Sequence, residues 1–192
     1  MNERLIYIET YGCQMNLADT EIVKSILINN GYGLTEEIES ADVILMNTCS
    51  VRENAEQRIF GRLGNFKKYK NSSSTKVVGI LGCMAERLKN KLIEEEKVVD
   101  IVVGPDEYRK LPVFIDEALH GKKGIGVKLS ASETYDDILP YREEGIAAWI
   151  PIMRGCNNFC TYCVVPYTRG RERSREFWVI IDEVKKLGER GF

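Results

Sequence analysis

Short apolar runs alternate with longer stretches of mixed apolar and charged residues along the first 120 positions of the chain. The apolar runs are rich in Val, Ile and Leu and predict buried strands, whereas the mixed stretches carry apolar residues at helical spacing. Strands are predicted at residues 5–9, 41–47, 76–81 and 98–103, helices at 18–30, 53–70, 85–96 and 107–119, and a polar turn at 71–75. Such alternation is typical of a doubly wound α/β fold with a parallel sheet.

The pattern changes after the fourth predicted helix. Residues 122–141 are rich in Gly, Lys and Ser, and they predict a linker that contains one extra strand at 125–129. A further strand is predicted at 147–153 and a further helix at 177–187. Because one strand and one helix cannot bury their own apolar faces, we expect this second unit to be incomplete. The predicted division is a domain at 3–121, the linker at 122–141 and the start of a second domain at 142–192.

Composition narrows the class of protein. The chain has 192 residues, 44% of them hydrophobic, with 27 Lys and Arg against 29 Asp and Glu and a net charge of −2. These values are ordinary for a globular protein and exclude a generally basic coat for nucleic acid, but not a local basic site. No apolar run approaches the ~18 residues that span a bilayer. We therefore expect a cytoplasmic protein, in which cysteines more often serve metals or catalysis than disulfides.

Three of the six cysteines follow predicted strands. Cys13, Cys49 and Cys83 lie 36 and 34 residues apart, about one strand-helix period each. Parallel sheets bind ligands at the carboxyl ends of their strands, so the three thiols would converge if those strands are adjacent. Thiolates select zinc, copper(I) or iron–sulfur clusters, and with His120 as the only histidine a four-ligand zinc site lacks its fourth ligand. Three unrelated buried cysteines remain the alternative.

The other three cysteines form a tighter pattern, Cys156-Asn-Asn-Phe-Cys160-Thr-Tyr-Cys163. This C-x3-C-x2-C spacing lets one loop hold three corners of a [4Fe–4S] cluster, as compact cysteine runs do in ferredoxins. The missing fourth cysteine would leave one iron free to take a substrate or cofactor. A zinc knuckle is the structural alternative, but the nearby sequence supplies no fourth ligand for it.

These residues resemble a known family. The Cys156–Cys163 segment, with Tyr162 before its last cysteine, resembles the radical S-adenosylmethionine signature, and residues 154–175 are similar to those of the methylthiotransferases. Three more segments resemble the cysteine segments of that family's amino-terminal domain: Tyr11-Gly-Cys-Gln-Met-Asn16, Asn47-Thr-Cys-Ser-Val-Arg-Glu53 and Leu81-Gly-Cys-Met84. Residues 14–16 and 50–53 are closest to the branch that acts on isopentenyladenosine in tRNA. The sequence departs from the family pattern at 18–21 and at Val164.

The resemblance implies two [4Fe–4S] clusters. Cys13, Cys49 and Cys83 would hold an auxiliary cluster, and Cys156, Cys160 and Cys163 a radical cluster that binds S-adenosylmethionine, with Tyr162 framing its adenine. Residues 142–192 would begin a truncated TIM-like radical S-adenosylmethionine barrel. No catalytic residue is identified beyond the cluster ligands.

The implied reaction is methylthiolation of C2 of N6-isopentenyl(dimethylallyl)adenosine next to the anticodon. S-adenosylmethionine would serve as both radical source and methyl donor. The implied partners are the tRNA substrate, an electron donor and a sulfur or cluster supply system, and no membrane. Because the barrel and the family's carboxy-terminal RNA-binding domain are not present, we expect no turnover by this chain alone.

Two alternatives remain. The first is another branch of the family, acting on threonylcarbamoyladenosine in tRNA or on an aspartate of a ribosomal protein. The second is a non-catalytic iron–sulfur or zinc-binding module.

Four alternating arginines follow the second cysteine motif, at positions 169, 171, 173 and 175. Glutamates lie among them, so a solvated, salt-bridged face is one interpretation. Contact with the phosphates of a cofactor or of tRNA is the other.

Overall fold

A six-stranded parallel sheet forms the centre of the protein. The computed structural model describes residues 3–50, 53–72, 76–143 and 145–192. The strands are β1 (Leu5–Tyr11), β2 (Gly33–Leu34), β3 (Val43–Thr48), β4 (Val77–Gly82), β5 (Ile101–Val103) and β6 (Gly124–Gly126). Their order is β2-β1-β3-β4-β5-β6, and every neighbouring pair is parallel. The predicted α/β class with a parallel sheet is confirmed.

Helices cover both faces of this sheet. They are α1 (Gln14–Asn29), α2 (Glu53–Ser72), α3 (Cys83–Leu88), α4 (Asn90–Glu95) and α5 (Leu111–Leu119). Residues alternate between the two faces along each strand. Val43 and Leu45 thus join the core under α1 and α5, whereas Ile44 and Met46 join the core under α2 and α4. The sheet is therefore the middle layer of three, with a separate apolar core on each side.

The element bounds differ from the prediction where local backbone geometry interrupts the pattern. The helix predicted at 85–96 is two short helices, because Lys89 has a positive φ of 47° that a continuous helix does not allow. Strand β2 was not predicted, since two residues carry no periodicity. The first helix begins at Gln14, before the predicted start at residue 18. The turn predicted at 71–75 is helical through Ser72, and residues 73–75 lie outside the described residues, as do Val51 and Arg52 of the family-like segments.

The last fifty residues form a smaller unit. It contains β7 (Met153–Arg154), α6 (Val165–Thr168), β8 (Arg173–Ser174) and α7 (Phe177–Glu189). Of the strand predicted at 147–153, only Met153 is in a strand, as the first residue of β7. The rest of that prediction is wrong, because in this part of the described chain only β7 has a partner strand, the antiparallel β8. Among the described residues, no helix combines the length and the apolar character that crossing a membrane requires.

Two candidate cysteine centres

The first centre lies at the carboxyl edge of the sheet. Cys13 follows β1, Cys49 follows β3 and Cys83 follows β4, and these three strands are adjacent. The three thiols can converge only if their strands are adjacent, and this adjacency could not be read from the sequence. After β1 the chain forms β2 on one side of β1 and then crosses to form β3 on the other side. The direction of strand addition therefore reverses between β1 and β3, and parallel sheets bind ligands at such a switch point.

The three loops are joined by buried amide and hydroxyl groups. Asn16, on the first turn of α1, donates from Nδ2 to Asn47 Oδ1 at 3.2 Å and to the Thr48 carbonyl at 3.3 Å. Asn47 donates back to the Asn16 carbonyl at 2.9 Å, and Thr48 Oγ1 donates to the Leu81 carbonyl at 2.8 Å. These hydrogen bonds connect the loop after β1 to the end of β3, and the end of β3 to the end of β4. Asn16 and Asn47 lie within the cysteine motifs but had no predicted role, although a polar Asn47 at the end of the apolar run 43–46 was a usable signal.

Two glycines allow these loops to approach closely. Gly12 has a φ of +148°, and a Cβ there would lie 2.8 Å from Cys49 Cβ. Gly82 has a φ of +88°, and its Cβ would lie 2.4 Å from Asn47 Oδ1 and 2.6 Å from the Thr48 carbonyl oxygen. Both positions combine a backbone conformation that favours glycine with space for a hydrogen only.

Replacing Gly82 with alanine should destabilise the protein and displace Cys83. The positive φ and the backbone contact together should lower the free energy of unfolding by about 3 kcal/mol. Gly61→Ala is the matched control, since Gly61 lies on α2 with nothing near its Cβ position, and alanine there should stabilise by about 0.4–1 kcal/mol. Urea unfolding followed by circular dichroism measures both; equal stabilities for the two variants would contradict the packing described here.

The donor set of the first centre consists of three thiols that follow adjacent strands. No three His, Cys, Asp or Glu side chains among the described residues converge where one metal ion would bind. In a cubane each thiolate ligates a different iron, so the three sulfurs stand apart around the cluster. Three thiols on adjacent loops, with no fourth protein ligand among them, are compatible with that arrangement.

The second centre lies in the loop between β7 and α6. The Cys163 amide donates to the Cys160 carbonyl at 3.0 Å, and the Cys156 amide donates to the Gly170 carbonyl at 3.1 Å. Gly155 has a φ of +73°, and a Cβ there would lie 2.1 Å from the Arg171 carbonyl oxygen. The cysteine loop is thus held against residues 170–171. All six cysteines of the chain are described and free.

The aromatic residues of this loop face solvent. Tyr162, predicted to frame a cofactor adenine, is 90% exposed. Phe159 packs edge-on against Tyr167 with 6.0 Å between ring centroids, and the Arg171 guanidinium lies 5.3 Å from the Phe159 centroid. The surface beside Cys160 and Cys163 is therefore apolar and open.

The alternating arginines do not form a solvated face. Arg169, Arg173 and Arg175 are buried and paired with carboxylates, and Arg171 alone of the four is exposed. Arg173 binds Asp106 at 2.6 Å, and Arg175 binds both Asp136 and Glu183 at 2.7 Å. The predicted salt bridges are present, but the prediction of a solvated face is wrong for the three buried arginines, because they pair with carboxylates inside the protein.

Asp19 is the centre of the buried ion pairs. It is fully buried, and its carboxylate binds Arg154 Nη1 and Arg169 Nη2, each at 2.8 Å, and accepts a hydrogen bond from the Tyr108 hydroxyl at 3.3 Å. Burial alone would raise the pKa of Asp19, but the charges of Arg154 and Arg169 outweigh it and hold that pKa below its ordinary value. Asp19 thus fixes the small carboxy-terminal unit onto the sheet domain.

Arg169 also contacts the first cysteine centre. Its Nε donates to Cys83 Sγ at 3.2 Å. Burial raises the pKa of the Cys83 thiol, although the Arg169 charge opposes that shift. Cys83 is therefore covered by a residue that belongs to the second cysteine region, whereas Cys13 is exposed and Cys49 is half-buried. No local sequence signal linked two residues 86 positions apart.

Comparisons with known proteins agree on one family. Residues 5–104 match the family described as uncharacterized protein family UPF0004. Similar curated proteins come from Chloroherpeton thalassium (55% identity over 97% of this chain), Parabacteroides distasonis (54% over 100%) and Bacteroides fragilis (51% over 100%). Each carries the name tRNA-2-methylthio-N(6)-dimethylallyladenosine synthase. The chain spans 41–42% of the length of these relatives.

Proposed function

Since the chain belongs to the UPF0004 family, which matches just over half of its residues, we propose that it forms part of a tRNA-2-methylthio-N6-dimethylallyladenosine synthase. The observation that carries this proposal is 51–55% identity to proteins of that name over essentially the whole chain. The substrate would be N6-dimethylallyladenosine in tRNA, beside the anticodon, and the product its 2-methylthio derivative. A tRNA substrate also implies a cytoplasmic site of action.

The six cysteines would ligate two [4Fe–4S] clusters. Cys13, Cys49 and Cys83 would hold the auxiliary cluster, which is supported by their places after the adjacent strands β1, β3 and β4. Cys156, Cys160 and Cys163 would hold the second cluster, which is supported by their spacing in one loop. When bound, the clusters and S-adenosylmethionine would supply one-electron chemistry, a methyl group and the transferred sulfur.

The remaining residues of the chain would position these ligands. Asn16, Asn47 and Thr48 hold the first three cysteine loops at fixed distances from one another. Tyr162, exposed beside Cys163, is available to frame the adenine of S-adenosylmethionine. An electron donor and a sulfur or cluster supply system would be further partners, since each turnover would consume an electron and a sulfur atom.

Nucleoside mass spectrometry of cellular tRNA tests the proposed substrate. Deletion of the gene that encodes this chain should eliminate 2-methylthio-N6-dimethylallyladenosine and leave N6-dimethylallyladenosine in its place. Reintroducing the parent gene should restore the product, and the gene carrying Cys49→Ala should not. An unchanged level of the 2-methylthio nucleoside in the deletion strain would exclude this substrate, and loss of a different methylthio product would indicate another branch.

A further inference from the structure

We propose that Arg169 is a positioning residue for the auxiliary cluster, raising its reduction potential through an N–H···S hydrogen bond to the ligand Cys83. The inference rests on the proposed function in one respect, namely that Cys83 is a cluster ligand. It adds a link between the two cysteine centres, because Arg169 belongs to the segment that supports the second centre and contacts the first.

The contact geometry is the first support. Arg169 Nε lies 3.2 Å from Cys83 Sγ, and both residues are buried. Hydrogen bonds to cluster sulfurs, together with net charge and exposure, set the potentials of iron–sulfur centres. Reduction adds negative charge, so a guanidinium beside a ligand sulfur stabilises the reduced form. The effect is greater in a buried site, where water screens charge less.

The balance of buried charge is the second support. Three buried guanidiniums, those of Arg154, Arg169 and Arg173, face the buried carboxylates of Asp19 and Asp106. Two carboxylates thus face three guanidiniums, and the third buried carboxylate nearby, Glu86, pairs with Lys89 instead at 3.6 Å. Arg169 Nη1 is buried without a hydrogen-bond partner among the described residues.

The backbone around Arg169 is the third support. The next residue, Gly170, accepts the amide hydrogen bond of Cys156 at 3.1 Å. The Arg171 carbonyl lies against Gly155, where a Cβ would meet it at 2.1 Å. Residues 169–171 therefore contact the Cys156 loop through their backbone and Cys83 through the Arg169 side chain. This segment fixes one cysteine centre relative to the other.

The test measures the potential of the auxiliary cluster alone. In the chain with Cys156, Cys160 and Cys163 all replaced by alanine, anaerobic reconstitution should load a single cluster. Its midpoint potential is then measured by redox titration followed by electron paramagnetic resonance. Arg169→Gln should shift the reduction equilibrium at least tenfold towards the oxidised cluster, which equals 59 mV for one electron.

Arg173→Gln is the matched control. It removes an equally buried arginine–aspartate pair in the same segment and a hydrogen bond to the Arg169 carbonyl, but among the described residues Arg173 makes no hydrogen bond to a cysteine, so the control isolates the Nε–Sγ contact from the support of the Arg169 backbone. We expect a shift of less than threefold. Equal shifts in the two variants, or a parental potential in fully loaded Arg169→Gln, would overturn the proposal.

A second measurement has its deciding outcome in the parent protein. In the parent labelled with 15N-arginine, pulsed electron paramagnetic resonance of the reduced cluster should detect nitrogen hyperfine coupling, and Arg169→Lys, which keeps the charge, should abolish it. Absence of coupling in the labelled parent overturns the assignment of Arg169. A parent that takes up no iron and sulfide at Cys13, Cys49 and Cys83 contradicts the proposed function instead, so the two failures are distinguishable.

Discussion

Cys160→Ala should abolish S-adenosylmethionine cleavage, whereas Cys49→Ala should retain cleavage and lose methylthio transfer. The reason is the separation of the cysteines into two sets, one following the sheet strands and one within a single loop. Both variants are tested in a full-length synthase carrying this sequence, by quantifying 5′-deoxyadenosine and the modified nucleoside. Each variant should also retain about four irons per chain, against about eight in the parent.

The two variants control for each other, because each removes one thiol from one set. Iron and sulfide analysis after anaerobic reconstitution shows whether the untouched set remains loaded. Loss of cleavage by Cys49→Ala with a fully loaded second cluster would contradict the division of roles. Stoichiometric zinc without sulfide in the parent would favour a zinc-binding module over both clusters.

Asp19→Asn should cause a large loss of stability, because Asp19 pairs with two buried arginines. It keeps the side-chain shape but leaves the buried charges of Arg154 and Arg169 without a carboxylate partner. Breaking a buried pair in this way costs about 3–5 kcal/mol. For a protein of this size the midpoint of thermal unfolding should fall by roughly 10 °C, measured by circular dichroism.

Asp116→Asn is the control for that substitution. Asp116 pairs with Arg4 on the surface, where both side chains are largely exposed, and such pairs contribute about 0–1 kcal/mol. An equal fall in the midpoint for both variants would show that the Asp19 pairs contribute no more than a surface pair.

The pH dependence of the Asp19 contribution has a definite sign. The folded-state pKa of Asp19 lies below its ordinary value. Its contribution to stability is therefore present above the ordinary carboxyl pKa of about 3.9 and is lost as the pH falls through the lowered value. The difference in stability between parent and Asp19→Asn should persist at neutral pH and shrink only in strong acid.

The sequence predicted the central strands of the parallel sheet well, because burial on both faces leaves near-continuous apolar runs. Residues 43–46 and 77–81 are examples, and the cysteine after each could be placed at the same edge of the sheet. The order of the strands was not predictable, because it depends on β2, a two-residue strand that pairs with Leu5 and Ile6. Pairing of so short a segment is decided by the rest of the fold and not by its own residues.

The alternating arginines at residues 169–175, in contrast, could not be interpreted correctly from the sequence. Their alternation is visible in the sequence, but the partners of Arg173 and Arg154 lie 67 and 135 residues away. The local pattern therefore favoured the neighbouring glutamates as partners of these arginines, which would place all of them on an exposed face. Only the docking of the carboxy-terminal unit brings Asp19 and Asp106 within reach. Asp19 itself stood out in the sequence only as part of a departure from the family pattern.

The unequal burial of the first three cysteines gives them unequal sensitivity to oxygen before a cluster is bound. Oxidation of thiols follows their exposure as well as their ionisation, so Cys13 would be the first of the three to form a sulfenic acid, which thiol reductants reverse. Cys83, covered by Arg169, would be the last. The earliest damage in air would thus fall on the ligand that a reductant reaches most easily, and the deepest ligand would remain intact.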